Sequence, residues 1–305
     1  MKCSNCSKKA IIEILWRKKR YCKEHFTRYF FGQVKKVLES KKYGATEIDR
    51  DTKICVALSG GKDSAVCFYV LKNLGYKVTP FHINLGIPLF SEKSLEKSLE
   101  LGKLLKEKVR IIDLKEELGF SIEELLMKNK KKLPCKVCGT VKRYIFNKFA
   151  FENNFDYIAT GHNLSDIAAQ GLNILINNQF DGFKNLLPLL PTKKEQKLCG
   201  RIKPLFFLSD EEIWLFARAN EIPFLEEKCP YTANTPSLHQ FKKFLNAIEK
   251  ERPGTVRRFG FAFIELGKRF EEIFKKERKF RQCVACGYPS TTKKCYFCRL
   301  MQKIK

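Results

Sequence analysis

The sequence predicts an α/β protein built on a doubly wound parallel sheet, with a small metal-binding module at each end. Three observations carry this. From residue 53 onward, short apolar runs of strand length alternate with longer stretches of helical spacing. A glycine-bearing loop, Ser59-Gly60-Gly61-Lys62-Asp63-Ser64, joins the first such run to the first such helix. Paired cysteines crowd the two ends of the chain.

Residues 1–26 hold cysteines and almost no apolar core of their own. Residues 27–40 space Phe30, Phe31, Val34, Val37 and Leu38 as a helix does. Residues 53–58 read as a buried parallel strand, and a helix over 63–74 follows the loop. A second strand is expected at 77–83, a helix at 92–106 and a third strand at 109–113. Then come a helix at 135–153, a strand at 156–160, a helix at 164–177 and a short strand at 201–205. Ser209, with Glu212 three residues on, marks the start of a helix that runs to 220. A last strand is expected to end at Cys229. Residues 237–279 read as helical, with a break at Pro253-Gly254. The expected division is a metal-binding module at 1–30, a catalytic α/β domain with a helical C-terminal part at 31–270, and a second metal-binding module at 271–305.

The chain has 305 residues, enough for one large α/β domain with small appendages. It carries 59 basic and 33 acidic residues, a net charge of +26. Such an excess points to a polyanionic partner, most simply a nucleic acid. Basic runs occur at 16–20, 128–132 and 275–281. No apolar run approaches the roughly 18 residues that span a bilayer, and the N-terminus lacks a signal-peptide core. A soluble cytoplasmic protein is therefore expected. In that setting thirteen cysteines mean metal binding or catalysis rather than disulfides. Cys55 and Cys67 sit in apolar stretches as small core residues; Cys199 is assigned no role.

The loop at 59–64 suits a phosphate chain. Gly60 and Gly61 let the backbone approach closely, and the following helix aims its free N–H groups at the same place. Ser59 and Ser64 add hydroxyl donors, and Lys62 a point charge. Asp63 beside a polyphosphate needs a Mg²⁺ between them or a partner to orient. The loop is shorter than a Walker A loop. The next strand ends near His82 and Ile83, whose backbone groups would meet the adenine of ATP at the carboxyl end of the sheet.

Cys3, Cys6, Cys22 and His25 form one four-ligand set; Cys283, Cys286, Cys295 and Cys298 form another. Each suits a closed tetrahedral Zn²⁺, which would supply folding energy to a segment too short for a core. Nearby aromatic and basic residues suit an RNA surface. The inner pair, Cys135 and Cys138, opens a helix, where the dipole and nearby lysines favour a thiolate. With Cys229 it makes three thiols on the loop side of the sheet. Three thiols leave a tetrahedral zinc incomplete. They suit either a [4Fe–4S] cluster with one open iron or a persulfide relay.

All six residues of Ser59-Gly60-Gly61-Lys62-Asp63-Ser64 match the loop of the N-type ATP pyrophosphatases, enzymes of the PP-loop superfamily with a HUP-like sheet. The whole chain resembles the TtuA group of tRNA 2-thiouridine synthetases, kin to the TtcA enzymes. The ordered set of motifs carries this: the two terminal ligand sets, His82-Ile83-Asn84-Leu85-Gly86-Ile87, Cys135-x2-Cys138-Gly139-x2-Lys142-Arg143, Thr160-Gly161-His162-Asn163, and the late single Cys229. The resemblance implies cleavage of ATP between its α- and β-phosphates, with AMP passed to a uridine oxygen that sulfur then replaces. It implies that Cys135, Cys138 and Cys229 carry a [4Fe–4S] cluster and that Lys142 and Asp166 assist catalysis. It also implies a tRNA substrate, a sulfur donor such as a ubiquitin-like thiocarboxylate protein or sulfide, and a tendency to dimers. One departure stands out: where the family has paired acids after Asn163-Leu164, this chain has Ser165-Asp166. The competing readings are an enzyme with the same loop but another nucleophile, a non-catalytic ATP- and RNA-binding module, and a sulfur carrier.

Overall fold

The computed structural model describes residues 1–40, 48–129, 133–231, 236–273 and 281–302. Parts of two basic runs (130–132 and 274–280) and the end of the last expected helix lie outside them.

The chain opens with an antiparallel hairpin of β1 (Ile12–Ile14) and β2 (Lys19–Tyr21), followed by α1 (Lys23–Leu38). The sheet region then runs β3 (Ile54–Leu58), α2 (Lys62–Asn73), β4 (Val78–Asn84), α3 (Phe90–Leu104) and β5 (Arg110–Asp113). Two short helices, α4 (Leu114–Leu118) and α5 (Ile122–Lys128), lead to α6 (Pro134–Glu152), β6 (Tyr157–Ala159) and α7 (Leu164–Ile176). After a 3-10 turn at Phe180–Leu186 come β7 (Leu189–Leu190), β8 (Gly200–Ile202) and α8 (Asp210–Ala219). The chain ends with α9 (Pro236–Glu251), α10 (Thr255–Ile273), a hairpin of β9 (Arg281–Gln282) and β10 (Pro289–Ser290), and α11 (Tyr296–Met301).

Six strands form the central sheet in the order β5-β4-β3-β6-β8-β7. All pair in parallel except β7, an antiparallel edge of two residues between Pro188 and Pro191. Alternate residues of β3 feed opposite faces, as a strand covered on both sides requires. Ile54, Val56 and Leu58 pack with α1, α2 and α8; Cys55 and Ala57 pack with Phe81, Ile83 and the Val137, Val141 and Ile145 stripe of α6. Cys67 joins the first of these cores, so Cys55 and Cys67 are core residues as expected.

Each terminal module is stitched to the sheet domain by rings. Phe30 of α1 stacks on Phe216 of α8 with centroids 3.9 Å apart, and Tyr29 Oη donates to Glu212 at 2.7 Å. The Arg257 guanidinium lies 4.2 Å over the Trp16 ring. At the other end Phe297 stacks on Tyr144 of α6 at 3.7 Å, and Tyr288 Oη donates to Glu152 at 2.7 Å.

One expected element is replaced. The segment ending at Cys229 is not a strand but irregular chain. The edge beyond β8 is already taken by β7, and Pro223 removes a ladder donor. Instead Leu225 N–H donates to the Gly60 carbonyl at 2.8 Å, so the segment crosses over the glycine loop. Among the described residues no helix is long and apolar enough to cross a membrane.

Candidate functional site

The order of connections reverses between β3 and β6: from β3 the chain builds outward through β4 and β5, then returns to β6 on the other side. The carboxyl ends of β3 and β6 therefore splay apart and leave a crevice, the usual ligand position in such sheets. The loop at 59–64 leaves β3 there, and Thr160 to Asn163 leave β6 beside it.

Local chemistry shapes the first loop. Gly60 has φ 76°, and a Cβ there would lie 2.7 Å from the Ser94 carbonyl oxygen. Gly61 caps α2 in an extended conformation. Ser64 Oγ donates to the Gly61 carbonyl at 2.9 Å and accepts from Ser59 N–H at 3.1 Å. Ser94 Oγ donates to the Ser59 carbonyl at 2.8 Å. The second loop touches the first back to back: a Cβ on Gly161 would sit 2.5 Å from the Asp63 carbonyl carbon. Only glycine allows that approach.

A cavity of about 350 Å³ opens at this crevice. Its walls bring together Ser59, Asp63, Ser64, His82, Ile83, Lys142, Gly161 and Asp166. The His82 ring is fixed from behind. Ser98 Oγ gives its proton to the Ser94 carbonyl at 2.9 Å, so His82 Nδ1 is the donor in its 3.0 Å bond to Ser98. Nε2 is then a buried acceptor with no hydrogen-bond partner. Burial pushes the ring down to about 4, so it is neutral at pH 7.

Behind the loop lies a network of alternating charge. Lys62 Nζ donates to Asp63 at 2.7 Å and to Asp210 Oδ1 at 2.9 Å. Asn163 Nδ2 donates to the same two acids at 3.2 and 3.0 Å. Lys242 of α9 reaches Asp210 Oδ2 at 3.1 Å and Asp166 at 2.5 Å. Burial would raise Asp210, but Lys242 and Lys62 together hold it below the ordinary carboxylate value. For Asp63 burial outweighs Lys62, and the group is raised. Ser165, in place of a second acid, is buried and accepts from Asp210 N–H at 3.3 Å. The second carboxylate beside Asp166 thus comes from α8. Asp210 and Lys242 were missed by sequence reasoning, and Asn163 was read as part of a motif without a role. The one signal for Asp210 was its place at the first turn of a helix already marked by the Ser209–Glu212 capping box.

The inner thiols gather beside Lys142. Cys135, Cys138 and Cys229 are all half-buried, and Cys135 and Cys229 act electrostatically on Cys138. The expected thiolate preference is not what burial produces at Cys138: burial raises that thiol, and Lys142 opposes the rise without cancelling it. Cys199 is buried, its thiol donating to the Phe155 carbonyl at 3.4 Å; burial pushes it up to about 12, the behaviour of a packing residue.

The terminal sets are tighter. In each of Cys3, Cys6, Cys22, His25 and Cys283, Cys286, Cys295, Cys298, the four donor atoms all lie within 4.8 Å of one another. The Sγ atoms of Cys6 and Cys22, and of Cys286 and Cys295, are 3.8 Å apart. A tetrahedral ion with metal–sulfur bonds of about 2.3 Å has sulfur–sulfur edges of about 3.8 Å. Among the described residues the inner trio is not gathered so closely.

Residues 30–234 match the family described as a PP-loop domain. The chain is 40% identical over 299 residues to the tRNA-5-methyluridine(54) 2-sulfurtransferase of Pyrococcus horikoshii, covering 98% of this chain and 93% of that protein. It is 38% identical over 312 residues to the protein of the same name from Thermotoga maritima, covering 100% and 97%. In structure it is similar to the U34-tRNA thiolase NcsA from Methanococcus maripaludis with its [4Fe-4S] cluster, with TM-score 0.81, 25% identity and coverage of 100% and 96%. With the glycine loop at the switch point, the thiols beside it and whole-length relatives of one kind, this chain belongs to the PP-loop family, in its tRNA 2-sulfurtransferase branch.

Proposed function

We propose that this protein is an ATP-dependent tRNA 2-thiouridine synthetase, and that the observation carrying the reading is the meeting of the glycine loop and Lys142 at one cavity, with three half-buried thiols gathered beside that lysine. ATP lies along 59–64, with its adenine against the backbone of His82 and Ile83. The uridine O2 attacks the α-phosphorus, and pyrophosphate leaves with the bridging electron pair. The loop N–H groups and Lys62 stabilise the charge on the leaving oxygens. AMP on O2 makes that oxygen a good leaving group. Sulfide, supplied free or released with a carboxylate by hydrolysis of a donor protein's thiocarboxylate, then adds at C2, and AMP departs. Lys142 presents its ammonium to the charge that develops there, and Asp166 orients the base.

The donor chemistry suits two metals and a cluster. The hydrogen-bonded network has three carboxylates and two ammoniums, Asp63, Asp166 and Asp210 against Lys62 and Lys242. The surplus acid suits a Mg²⁺ arriving with ATP. The spacing of the terminal sets suits one Zn²⁺ each, which supports the division into modules at 1–30 and 271–305 around a domain at 31–270. Cys135, Cys138 and Cys229 offer three soft ligands, spread more widely than one ion would hold them, as a larger four-iron cubane requires. Such a cluster, when bound, supplies an iron with an open position for sulfide. The greater identity to the 5-methyluridine(54) enzymes than to the U34 thiolase favours a T-loop uridine.

The test is anaerobic incubation of the cluster-reconstituted protein with unthiolated tRNA, Mg-ATP and sulfide, then mass spectrometry of the nucleosides. A 2-thiouridine-type nucleoside that depends on ATP and maps to position 54 is expected. No sulfur gain, with iron content and ATP binding verified, would overturn the reading. Lys62→Ala should abolish tRNA-dependent pyrophosphate release, and Cys229→Ser should remove thiolation while sparing ATP binding.

A further inference from the structure

A second cavity, about 640 Å³, adjoins the first and shares Phe146, Thr160, His162 and Asp166 with it. Its volume is that of a small-molecule site. Beyond it lies a third cavity, about 380 Å³, walled by Tyr288, Tyr296 and Phe297 of the C-terminal module. Arg143 of α6 and Arg201 of β8 line both the second and the third. The three cavities thus make one trough from the terminal module to the phosphate loop, with the two arginines at its middle.

The other lysines on the second cavity are already engaged. Lys242 binds Asp166 and Asp210, and buried Lys203 donates to the carbonyls of Asn185 and Leu187. The two arginines are not so engaged. Arg201 is half-buried, and beyond its backbone pairing in the sheet its guanidinium makes no hydrogen bond among the described residues. Arg143 is exposed, its contact being a long one of 3.5 Å to Thr140 Oγ1 one turn back. Neither has a carboxylate within ion-pair distance among the described residues. Gly139 leaves the room in which the Arg143 guanidinium rests: a Cβ there would meet Nη1 at 3.2 Å. Burial lowers Arg201, and the neighbouring Arg143 charge lowers it further. Two like charges are therefore held near each other, with most of their ten fork donors unmade. That arrangement calls for an anion with several acceptor oxygens.

We propose that Arg143 and Arg201 clasp a phosphodiester of the tRNA strand next to the target uridine, which enters the second cavity, while a flanking base meets the tyrosine wall of the third. The inference rests on the tRNA reading above. The aromatic wall favours RNA over a free anion, because bases stack on such rings. Asp166, on the wall shared by the first two cavities, then lies between the entering base and the nucleotide loop.

The experiment measures binding of unmodified tRNA to the full-length protein across a salt series. The variants are Arg143→Ala, Arg201→Ala and Arg201→Lys, with Arg110→Ala, at the opposite end of the sheet, as control. Loss of one phosphate contact should weaken binding about tenfold at low salt. It should also flatten the slope of log K against log salt by about 0.7. Arg201→Lys should keep the slope, and Arg110→Ala should leave both quantities unchanged. Inhibition by pyrophosphate should be the same in all variants. Wild-type slopes in both alanine variants, or equal flattening by Arg110→Ala, would overturn the clasp. So would a shift in pyrophosphate inhibition with no change in slope, which would assign the pair to the leaving group. Should Arg201→Ala fail to fold, Arg143→Ala still decides, a wild-type slope there overturning the clasp. Wild-type protein that binds tRNA through this pair yet yields no thionucleoside would sink the reaction and leave the clasp standing.

Discussion

Each oxygen of the Asp210 carboxylate accepts from a different lysine, Lys62 on one side and Lys242 on the other. Removing that charge leaves Lys62 leaning on Asp63 alone, so its ammonium is pulled from where the leaving phosphates form. Asp210→Asn should cut the rate of pyrophosphate release at least tenfold, on the order of a lost charge-stabilising contact. The variant should lose only about 1 kcal/mol in urea unfolding, because these side chains are partly exposed, from 23% at Lys62 to 34% at Asp210. A rate equal to wild type would remove Asp210 from the site. His82 makes a pH prediction. Its folded value of about 4 lies below the unfolded value of about 6.5. The unfolded chain therefore binds the extra proton between those values. Stability from this residue is full above pH 6.5 and is lost as pH falls towards 4, by on the order of 3 kcal/mol. In nucleotide-free protein, His82→Asn should lose less stability than wild type between pH 7 and pH 4.5. At this scale the loop residues could be read from the sequence because they are contiguous. Asp210 could not, since its partner Lys62 is 148 residues away and an acid in a first helical turn is ordinarily a dipole partner.

Helices and strands were easier to read than their neighbours. The β3 run, Ile54 to Leu58, is apolar at every position because both its faces are covered, and α8 announces itself by its capping box. Shorter elements left no periodicity to find: α4 has five residues and β7 two. The apolar stretch before Cys229 looked like a strand and is not one, because sheet membership depends on a free edge, which no local pattern records. The terminal modules make a prediction of their own. Their hairpins have two or three residues per strand, too few to fold by apolar burial. A strong zinc chelator should release two equivalents of metal. It should also raise amide exchange over 1–26 and 281–302 while β3 and β6 keep wild-type protection. Full protection of the termini after chelation would show that ring packing on α6 and α8 suffices without metal.

Across the whole molecule the net charge of +26 acts on any polyanion, cognate or not. Non-cognate RNA should therefore bind well at low salt and lose affinity steeply between about 50 and about 200 mM. Discrimination for the cognate tRNA should grow over the same range, as measured by competition with an unrelated RNA. A constant ratio would mean that the trough adds no specificity. The sheet itself ends in a way that bears on life at high concentration. A bare strand edge is an open row of peptide donors and acceptors, ready to recruit a second chain. Here one border is β7, two residues long and bracketed by Pro188 and Pro191, and the other, β5, begins at Arg110 and ends at Asp113. Neither offers a stranger enough uninterrupted backbone to zip onto, so a crowded solution of this protein is guarded against intermolecular β-aggregation by two prolines at one border and by a short strand with charged ends at the other.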